Sequence, residues 1–297
     1  MAILTPGGRF VPGGDHPRGL LLAAGAVLLI SFDALLVRLA DAPHWDIVFW
    51  RGTLIALTLA LWMLVSGQRP HMPVRRRDRW LIVLSVIMLS GNTTLFVLSV
   101  SHTAAANTVV ILAASPFFAA LFSALFLRER VPLRTWLAIA TAMAGVIVVF
   151  GGGMRGGTGL GDLFAMTLAV TVGGHLTILR RFPTVPRLPL ICLSGILAAL
   201  TALAFANPLS LSAQSYAVIG VMGVAQMPLA TVMLAVATRY LPSPEVSLAL
   251  LLETVLAPIW VWWALGEAVP PLTAVGGALI LMTVAVHSML ALKEEKT

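Results

Sequence analysis

The chain has 297 residues, of which 59% are hydrophobic and only 10% are charged. A soluble domain carries about 25% charged residues, so this composition excludes a water-soluble globular protein and indicates that lipid is the main solvent. The formal charge of +7 does not indicate nucleic-acid binding, because the basic residues cluster in short loops between apolar runs. The single cysteine, Cys192, excludes a disulfide framework and a cysteine-based metal site.

Apolar runs long enough to cross a bilayer follow one another along the whole chain. A bilayer core of about 30 Å needs about 20 helical residues. The first run, after a proline- and glycine-rich tail 1–18, is longer than the apolar region of a signal peptide, so we interpret it as a retained span. The predicted spans are 19–40, 46–66, 80–100, 104–127, 132–153, 160–180, 188–206, 215–237, 243–265 and 270–291. The sequence therefore predicts an all-α polytopic membrane protein.

The charges of the loops predict the orientation of these spans. With the N-terminus in the cytoplasm, 16 of the 19 basic residues fall in cytoplasmic segments, and Arg38, Arg51 and Arg155 remain. Cytoplasmic loops carry an excess of Lys and Arg. The sequence thus predicts a multi-pass protein of the bacterial inner membrane with both termini in the cytoplasm. Trp45, Trp50 and Trp260 fall near predicted outer ends, as in an aromatic belt.

A repeated motif divides the chain into two units. The pattern L-x-E-x-V-P-x-x-T begins at Leu127 and again at Leu265, 138 residues later, each time between the fourth and fifth of five spans. An odd number of spans inverts the second unit, an arrangement typical of transporters. We predict ten transmembrane helices as two inverted five-helix repeats, 19–153 and 154–291, with 292–297 as a cytoplasmic tail. Glu129 and Glu267 then lie on opposite faces and are interpreted as turn residues, and the glycine-rich stretch 151–159 is interpreted as a linker.

Several short motifs resemble those of a known family. They are Phe49-Trp50-Arg51-Gly52, Leu95-Phe96, Ser101 to Asn107, Ser115-Pro116, Glu129, Ser243-Pro244-Glu245, Leu252-Glu253-Thr254 and Gly266-Glu267. Together they resemble the drug/metabolite transporter superfamily, in its EamA branch of bacterial metabolite exporters. The resemblance implies a secondary transporter that exports a small metabolite, such as an amino acid, by alternating access. It also implies a central cavity enclosed by spans one, three, four, six, eight and nine.

Two ionisable residues near the middle of their spans are the leading functional candidates. Glu253 lies ten residues into the ninth span, where an ionised carboxylate is costly unless it is paired or hydrated. It is either a proton-coupling or substrate-amine-binding group, or a structural carboxylate. The family often has Glu-Pro here, whereas Thr254 follows Glu253 in this chain, so a kink is expected nearer to Pro258. His175, after two glycines in the sixth span, either relays protons or bonds between helices.

The other candidates are polar residues expected at the cavity. Asp33 is expected to pair with Arg38 or Arg51, unless it acts in transport. Arg51 is expected to pair with Asp33, to extend towards the outer surface, or to attract a substrate carboxylate. Asn92, Thr93 and Gln226 are expected either at the cavity wall or in hydrogen bonds between helices. Glu245 is interpreted as a helix cap, and His287 is given no role.

No enzyme activity, cofactor or metal site is predicted, because the sequence contains no nucleotide-hydrolysis motif and no metal-ligand spacing. The expected partners are a small-molecule substrate and the lipid bilayer, with protons as the candidate coupling ion and no nucleic acid. The chain is expected to act as a monomer or a homodimer. The alternative is a non-transporting membrane scaffold or lipid-binding subunit, which would be tightly packed and would have no polar cavity around the midplane residues.

Overall fold

The computed structural model describes residues 16–67, 75–102, 108, 111–129, 131–150, 159–265 and 271–296, all of which lie in helices or in the turns between them. The all-α prediction is confirmed for this part of the chain. The predicted tail up to residue 15, most of the glycine-rich linker (151–158) and Glu267 lie outside the described residues.

The described residues contain thirteen α-helices, which form ten helical segments because three of the segments consist of two helices each. The helices are α1 His16–Ile30, α2 Asp33–Ala40, α3 His44–Val65, α4 Arg79–His102, α5 Ser115–Phe122, α6 Leu133–Phe150, α7 Gly159–Arg181, α8 Arg187–Leu203, α9 Ala213–Val221, α10 Met227–Ala237, α11 Ser243–Leu250, α12 Glu253–Leu265 and α13 Pro271–Lys296. A wider π-helical turn, Ser123–Leu127, extends α5, and another, Met222–Gln226, joins α9 to α10. Counted along the chain, α1 and α2 form the first segment, α9 and α10 the eighth, and α11 and α12 the ninth, and every other helix is a segment by itself.

Five of these segments are long and apolar enough to cross a membrane, judged by length and composition. They are His16–Ala40, His44–Val65, Arg79–His102, Gly159–Arg181 and Ala213–Ala237. Large apolar side chains such as Leu64 and Val65 remain exposed on the outside of the bundle. A soluble protein rarely exposes large contiguous apolar patches, so this surface is suited to contact with lipid.

Short breaks interrupt the first and the ninth helical segments. α1 ends at Ile30 and α2 begins at Asp33, and α11 ends at Leu250 and α12 begins at Glu253. The second break lies before Glu253, several residues ahead of the kink that was expected near Pro258. α12 continues through residue 258.

The position of the second break follows the first unit of the chain. α5 begins at Ser115 after a turn at Ala113–Ala114, and Ser115 precedes Glu253 by the repeat distance of 138 residues. Matching backbone hydrogen bonds flank the two turns: Ala114 N to Ile111 O and Phe117 N to Ala114 O in the first, Leu252 N to Ala249 O and Val255 N to Leu252 O in the second. The turn is therefore the same local structure in both places.

Four helix pairs form the most extensive contacts: α3 with α8, α4 with α7, α6 with α13, and α1 with α10. Smaller contacts join α5 to α7, α4 to α8, and α5 to α11. α3 and α8 approach most closely through glycines. A Cβ atom added to Gly52 would lie 2.6 Å from the carbonyl oxygen of Gly195, and one added to Gly195 would lie 2.7 Å from that of Gly52. The contact is thus reciprocal, with each helix presenting the same kind of surface to the other.

The two ends of the bundle differ in chemistry. At one end, here called the basic end, Arg180, Arg187 and Arg239 donate hydrogen bonds to backbone carbonyls at the helix ends. At the other, here called the aromatic end, Trp45 stacks on Phe205 and Trp50 donates to the carbonyl of Pro208. These contacts join helix ends that the alternating topology places on the same side.

Candidate functional site

A cavity of about 160 Å³ lies inside the bundle, between the two ends. Its walls come from the first, third, fourth, sixth, eighth and ninth helical segments, with Arg51 added from α3. Most of the lining side chains are apolar. The polar side chains of the lining are Asp33, Arg51, Asn92, Thr93, Ser115, Thr231, His175 and Glu253. Six of the seven residues predicted from sequence therefore meet at one cavity, although their role in transport stays a prediction.

Three helix starts meet at this cavity. Asp33 begins α2, Ser115 begins α5 and Glu253 begins α12, and all three residues line the wall. The positive ends of these half-helices stabilise negative charge, which favours acidic residues at such positions. Helices interrupted near the bilayer midplane are also how many transporters build their binding sites.

Asp33 and Arg51 form a buried ion pair in the cavity wall. Arg51 Nη1 donates to Asp33 Oδ2 at 3.0 Å, and the side chains are only 5% and 4% exposed. Of the two partners expected for Asp33, the structure selects Arg51. Arg51 is buried, so the alternative in which it extends to the outer surface is wrong. The second carboxylate oxygen of Asp33 and the Nε of Arg51 have no hydrogen-bond partner among the described residues.

Among the described residues, Glu253 is the acidic residue of the cavity without a direct partner. The residue is 8% exposed, and no hydrogen bond or ion pair to it occurs within the described part of the chain. Asp33 and Arg51 are the charged groups near enough to interact with it electrostatically. A carboxylate buried in this way is costly unless a ligand, water or a proton neutralises it.

Three of the four remaining predicted site residues, His175, Asn92 and Gln226, make bonds between helices, and the fourth, Thr93, lines the cavity. His175 Nδ1 lies 2.9 Å from Ser85 Oγ and 3.1 Å from the Ser85 carbonyl, which ties α7 to α4. Thr171 donates to Asn92 Oδ1 at 2.7 Å across the same pair of helices. Gln226 Nε2 donates to the carbonyl of Leu29 at 2.9 Å and thus supports the end of α1. Gln226 is buried beside the cavity and is not part of its lining.

Two contacts beyond the cavity were not predicted from sequence. On the aromatic side, Trp260 Nε1 donates to Ser31 Oγ at 2.8 Å, and its ring stacks on Phe32 with centroids 4.4 Å apart. Because Trp260 lies in an apolar run near a predicted outer end, the sequence indicated only a tryptophan of the aromatic belt. Its partners lie 229 residues away, and sequence periodicity carries no signal for such a pairing.

At the basic end, Glu245 connects three helices. Its carboxylate lies 3.1 Å from His16 Nε2 of α1 and 3.8 Å from His287 Nε2 of α13. No side-chain cap is present at the start of α11, so the interpretation of Glu245 as a helix cap is wrong. His287, which was given no role, is its neighbour. Near this group, Arg180 pairs with Glu129 at 3.6 Å.

Comparison with known proteins agrees with this architecture. The EamA-like transporter family matches residues 17–151. The pseudopaline exporter of Pseudomonas aeruginosa is 30% identical over 134 residues, which cover 44% of this chain and 46% of that protein. An uncharacterized transporter of Vibrio cholerae serotype O1 is 30% identical over 148 residues, which cover 46% and 48%. The chain thus spans about half the length of the curated relatives it matches.

A protein of known crystal structure has the same fold, with a TM-score of 0.78 and 21% sequence identity. The match covers 92% of this chain and 99% of that protein, so the shared fold includes the second half as well as the first. Residues 17–151 of the chain are thus similar to the EamA-like transporter family.

Proposed function

We propose that this protein is a secondary active transporter that moves a small metabolite, such as an amino acid or a related compound, outward across the bacterial inner membrane. The observation that carries the proposal is the cavity of about 160 Å³, with the unpaired Glu253 at a break in its helix. The matched relatives are a named exporter and a transporter, which supports the same class of activity. Substrate identity and direction belong to the proposal.

The proposed architecture is a pair of inverted five-helix units, 19–153 and 154–291. The matching turns at Ala113–Ala114 and Leu251–Leu252 support it. The helix pairs support it as well. If each segment is exchanged with its counterpart five segments away, the pair α1–α10 becomes the pair α4–α7, and the pairs α3–α8, α6–α13 and α5–α11 become themselves. The pair α5–α7 becomes the pair α1–α11, and these two helices are also in contact. A twofold relation between two units requires this pattern.

The division of the ninth segment into two helices supports alternating access in our proposal. Its first half, α11, carries Glu245, which contacts His16 and His287 at the basic end. Its second half, α12, carries Trp260, which contacts Ser31 and Phe32 on the aromatic side. The break between the halves lies beside Glu253 in the cavity. In our proposal the two halves open in turn, and the cavity is exposed first to one face and then to the other.

Protons are the coupling ion in this proposal, with Glu253 and His175 as the groups that carry them. Glu253 has no fixed counter-charge in direct contact, so it can exchange a proton for another ligand. His175 lines the same cavity and is linked to α4 through Ser85. A non-transporting scaffold would be packed tightly around these residues, and the cavity argues against that alternative.

Metabolite profiling tests the function directly. Medium and cell extracts are compared between a strain that lacks the protein, a strain that overproduces it, and strains that produce Glu253→Gln or Asp78→Asn. Asp78 lies in the loop before α4 and is the matched control for loss of a carboxylate. We expect a small metabolite to accumulate in the medium with the wild-type and Asp78→Asn proteins only. Identical profiles in all strains, with equal membrane levels of protein, would contradict the proposal.

A further inference from the structure

We infer that the cavity recognises its substrate through a protonated amine, for which the carboxylate of Glu253 is the counter-charge, while Asp33 and Arg51 neutralise each other. The inference rests on the proposed function, in which the substrate enters this cavity. It adds the chemical class of the substrate: a small organic cation or zwitterion with an apolar body.

The charges of the cavity wall decide the sign of the substrate's head group. Among the described lining residues, two carboxylates, Asp33 and Glu253, face one guanidinium, Arg51. Asp33 and Arg51 are joined at 3.0 Å and are almost fully buried, so together they contribute no net charge. Glu253 remains, 8% exposed and without a hydrogen bond or ion pair to the described residues. A cation next to Glu253 would complete the charge balance of the wall.

Arg51 is a poor anchor for an anionic substrate. It already donates to Asp33, and removing one partner from a buried ion pair leaves the other as an uncompensated charge. A substrate carboxylate bound to the remaining donors of Arg51 would bring a third negative charge next to Asp33 and Glu253, for which the described lining supplies one guanidinium. For a zwitterion, the amine is accordingly the group that binds in this part of the cavity.

The rest of the wall sets the size and the polarity of the substrate. The apolar lining includes Leu89, Phe96, Leu112, Val172 and Leu234. The cavity of about 160 Å³ is smaller than the roughly 300–1,000 Å³ typical of pockets for drug-sized ligands. A primary amine on a small branched or linear hydrocarbon body fits both the volume and the lining.

A matched set of four probes separates the head groups while keeping one side chain. Leucinamide is a cation, leucine a zwitterion, N-acetylleucine an anion and N-acetylleucinamide a neutral molecule. Binding of each to the purified full-length protein in detergent is measured by isothermal titration, for the wild type and for Glu253→Gln, Glu253→Asp and Asp78→Asn.

The expected order of affinity is leucinamide first, then leucine, with N-acetylleucine weakest. Glu253→Gln should weaken leucinamide at least about tenfold, the loss expected for one charge-assisted contact, and should leave N-acetylleucinamide unchanged. Glu253→Asp should keep the preference for the cation, and Asp78→Asn should behave as the wild type. Absence of binding by both amines, a preference for N-acetylleucine, or equal leucinamide affinity in Glu253→Gln would each overturn the inference.

Two further measurements, the melting temperature and transport in proteoliposomes, separate the possible reasons for a loss of binding. The melting temperature of Glu253→Gln without ligand should equal or exceed that of the wild type, because the substitution removes an unpaired buried carboxylate. This result separates loss of binding from loss of folding. If leucinamide binds through Glu253 and proteoliposomes move none of the four probes, transport is contradicted and the inference stands. If they transport N-acetylleucine in preference, transport stands and the inference fails.

Discussion

Asp33 depends on a single side chain for its charge balance, and this makes the ion pair with Arg51 a test of the cavity wall. The two side chains are 4% and 5% exposed, so neither is solvated when its partner is lost. We expect Asp33→Asn to destabilise the protein by about 3–5 kcal/mol, because Arg51 is left as a buried unpaired charge. Thermal unfolding of the purified protein in detergent measures the effect as a fall in the melting temperature.

The double variant Asp33→Asn with Arg51→Gln is the matched control for this prediction. It removes both charges together, so most of the lost stability should return. An Asp33→Asn protein that melts at the wild-type temperature would show that the pair does not hold the cavity wall.

Sequence reasoning located the residues of the cavity better than it located their partners. Asp33 and Glu253 were recognisable because a charged residue inside an apolar run is costly and needs a reason. The choice between Arg38 and Arg51 for Asp33 depends on how α2 packs against α3, which no local pattern encodes. The contacts of Glu245 with His16 and His287 were missed because each of these residues lies near a span end, where polar side chains are common.

The contact between α3 and α8 depends on the absence of side chains at two positions. A Cβ atom at Gly52 would lie 2.6 Å from a backbone oxygen and 2.9 Å from the backbone nitrogen of Ala199, and neither atom can move without shifting the helix. We expect Gly52→Ala to cost about 1–3 kcal/mol through overpacking. The melting temperature and the yield of monodisperse protein report the loss.

Gly220, in α9, provides the matched control, since a Cβ atom added there meets nothing within 4 Å. Gly220→Ala should leave the melting temperature unchanged or raise it slightly, because alanine favours helix more than glycine does. Equal behaviour of Gly52→Ala and Gly220→Ala would mean that α3 and α8 are not in close contact.

The group formed by Glu245, His16 and His287 should hold the basic end of the ninth segment in place. We expect Glu245→Gln to weaken this contact and to increase the accessibility of the cavity from the basic end. A cysteine at Thr231, a lining residue of α10, reports accessibility through its reaction with a membrane-impermeant thiol reagent. With the buried Cys192 replaced by serine, the labelling rate from the basic side should rise several-fold in Glu245→Gln.

Asp78→Asn in the same cysteine background controls for the loss of a carboxylate elsewhere. If Glu245→Gln and Asp78→Asn label at the same rate, Glu245 does not restrain α11.

At the level of helical segments, hydropathy predicted positions well and interruptions poorly. The third predicted span, 80–100, corresponds to α4 at Arg79–His102, since twenty apolar residues leave little freedom in where a helix lies. The break before Glu253 was expected nearer to Pro258, because proline is the strongest local signal for a kink. The observed break instead follows the turn at Ala113–Ala114 in the first unit. The two turns lie 138 residues apart, which is the distance of the sequence repeat.

For the whole molecule, the arrangement of helix pairs joins the repeat to the mechanism. The most extensive helix pairs map onto one another when the two proposed units are exchanged, and the cavity lies between the basic and the aromatic ends. The loop charges place the basic end in the cytoplasm in our proposal. Two inverted units around one site give a natural way to form two conformations of similar energy, each open to one face.

Labelling from both faces of the membrane tests alternating access most directly. The Thr231→Cys, Cys192→Ser protein is treated with the impermeant thiol reagent in right-side-out and in inside-out vesicles, and the same protein without the Thr231→Cys substitution controls for background. The account predicts that Thr231→Cys is labelled in both preparations, and that addition of transported substrate changes the two rates in opposite directions. Labelling from one face only, unchanged by substrate, would contradict the proposal that this cavity opens alternately to the two sides of the membrane.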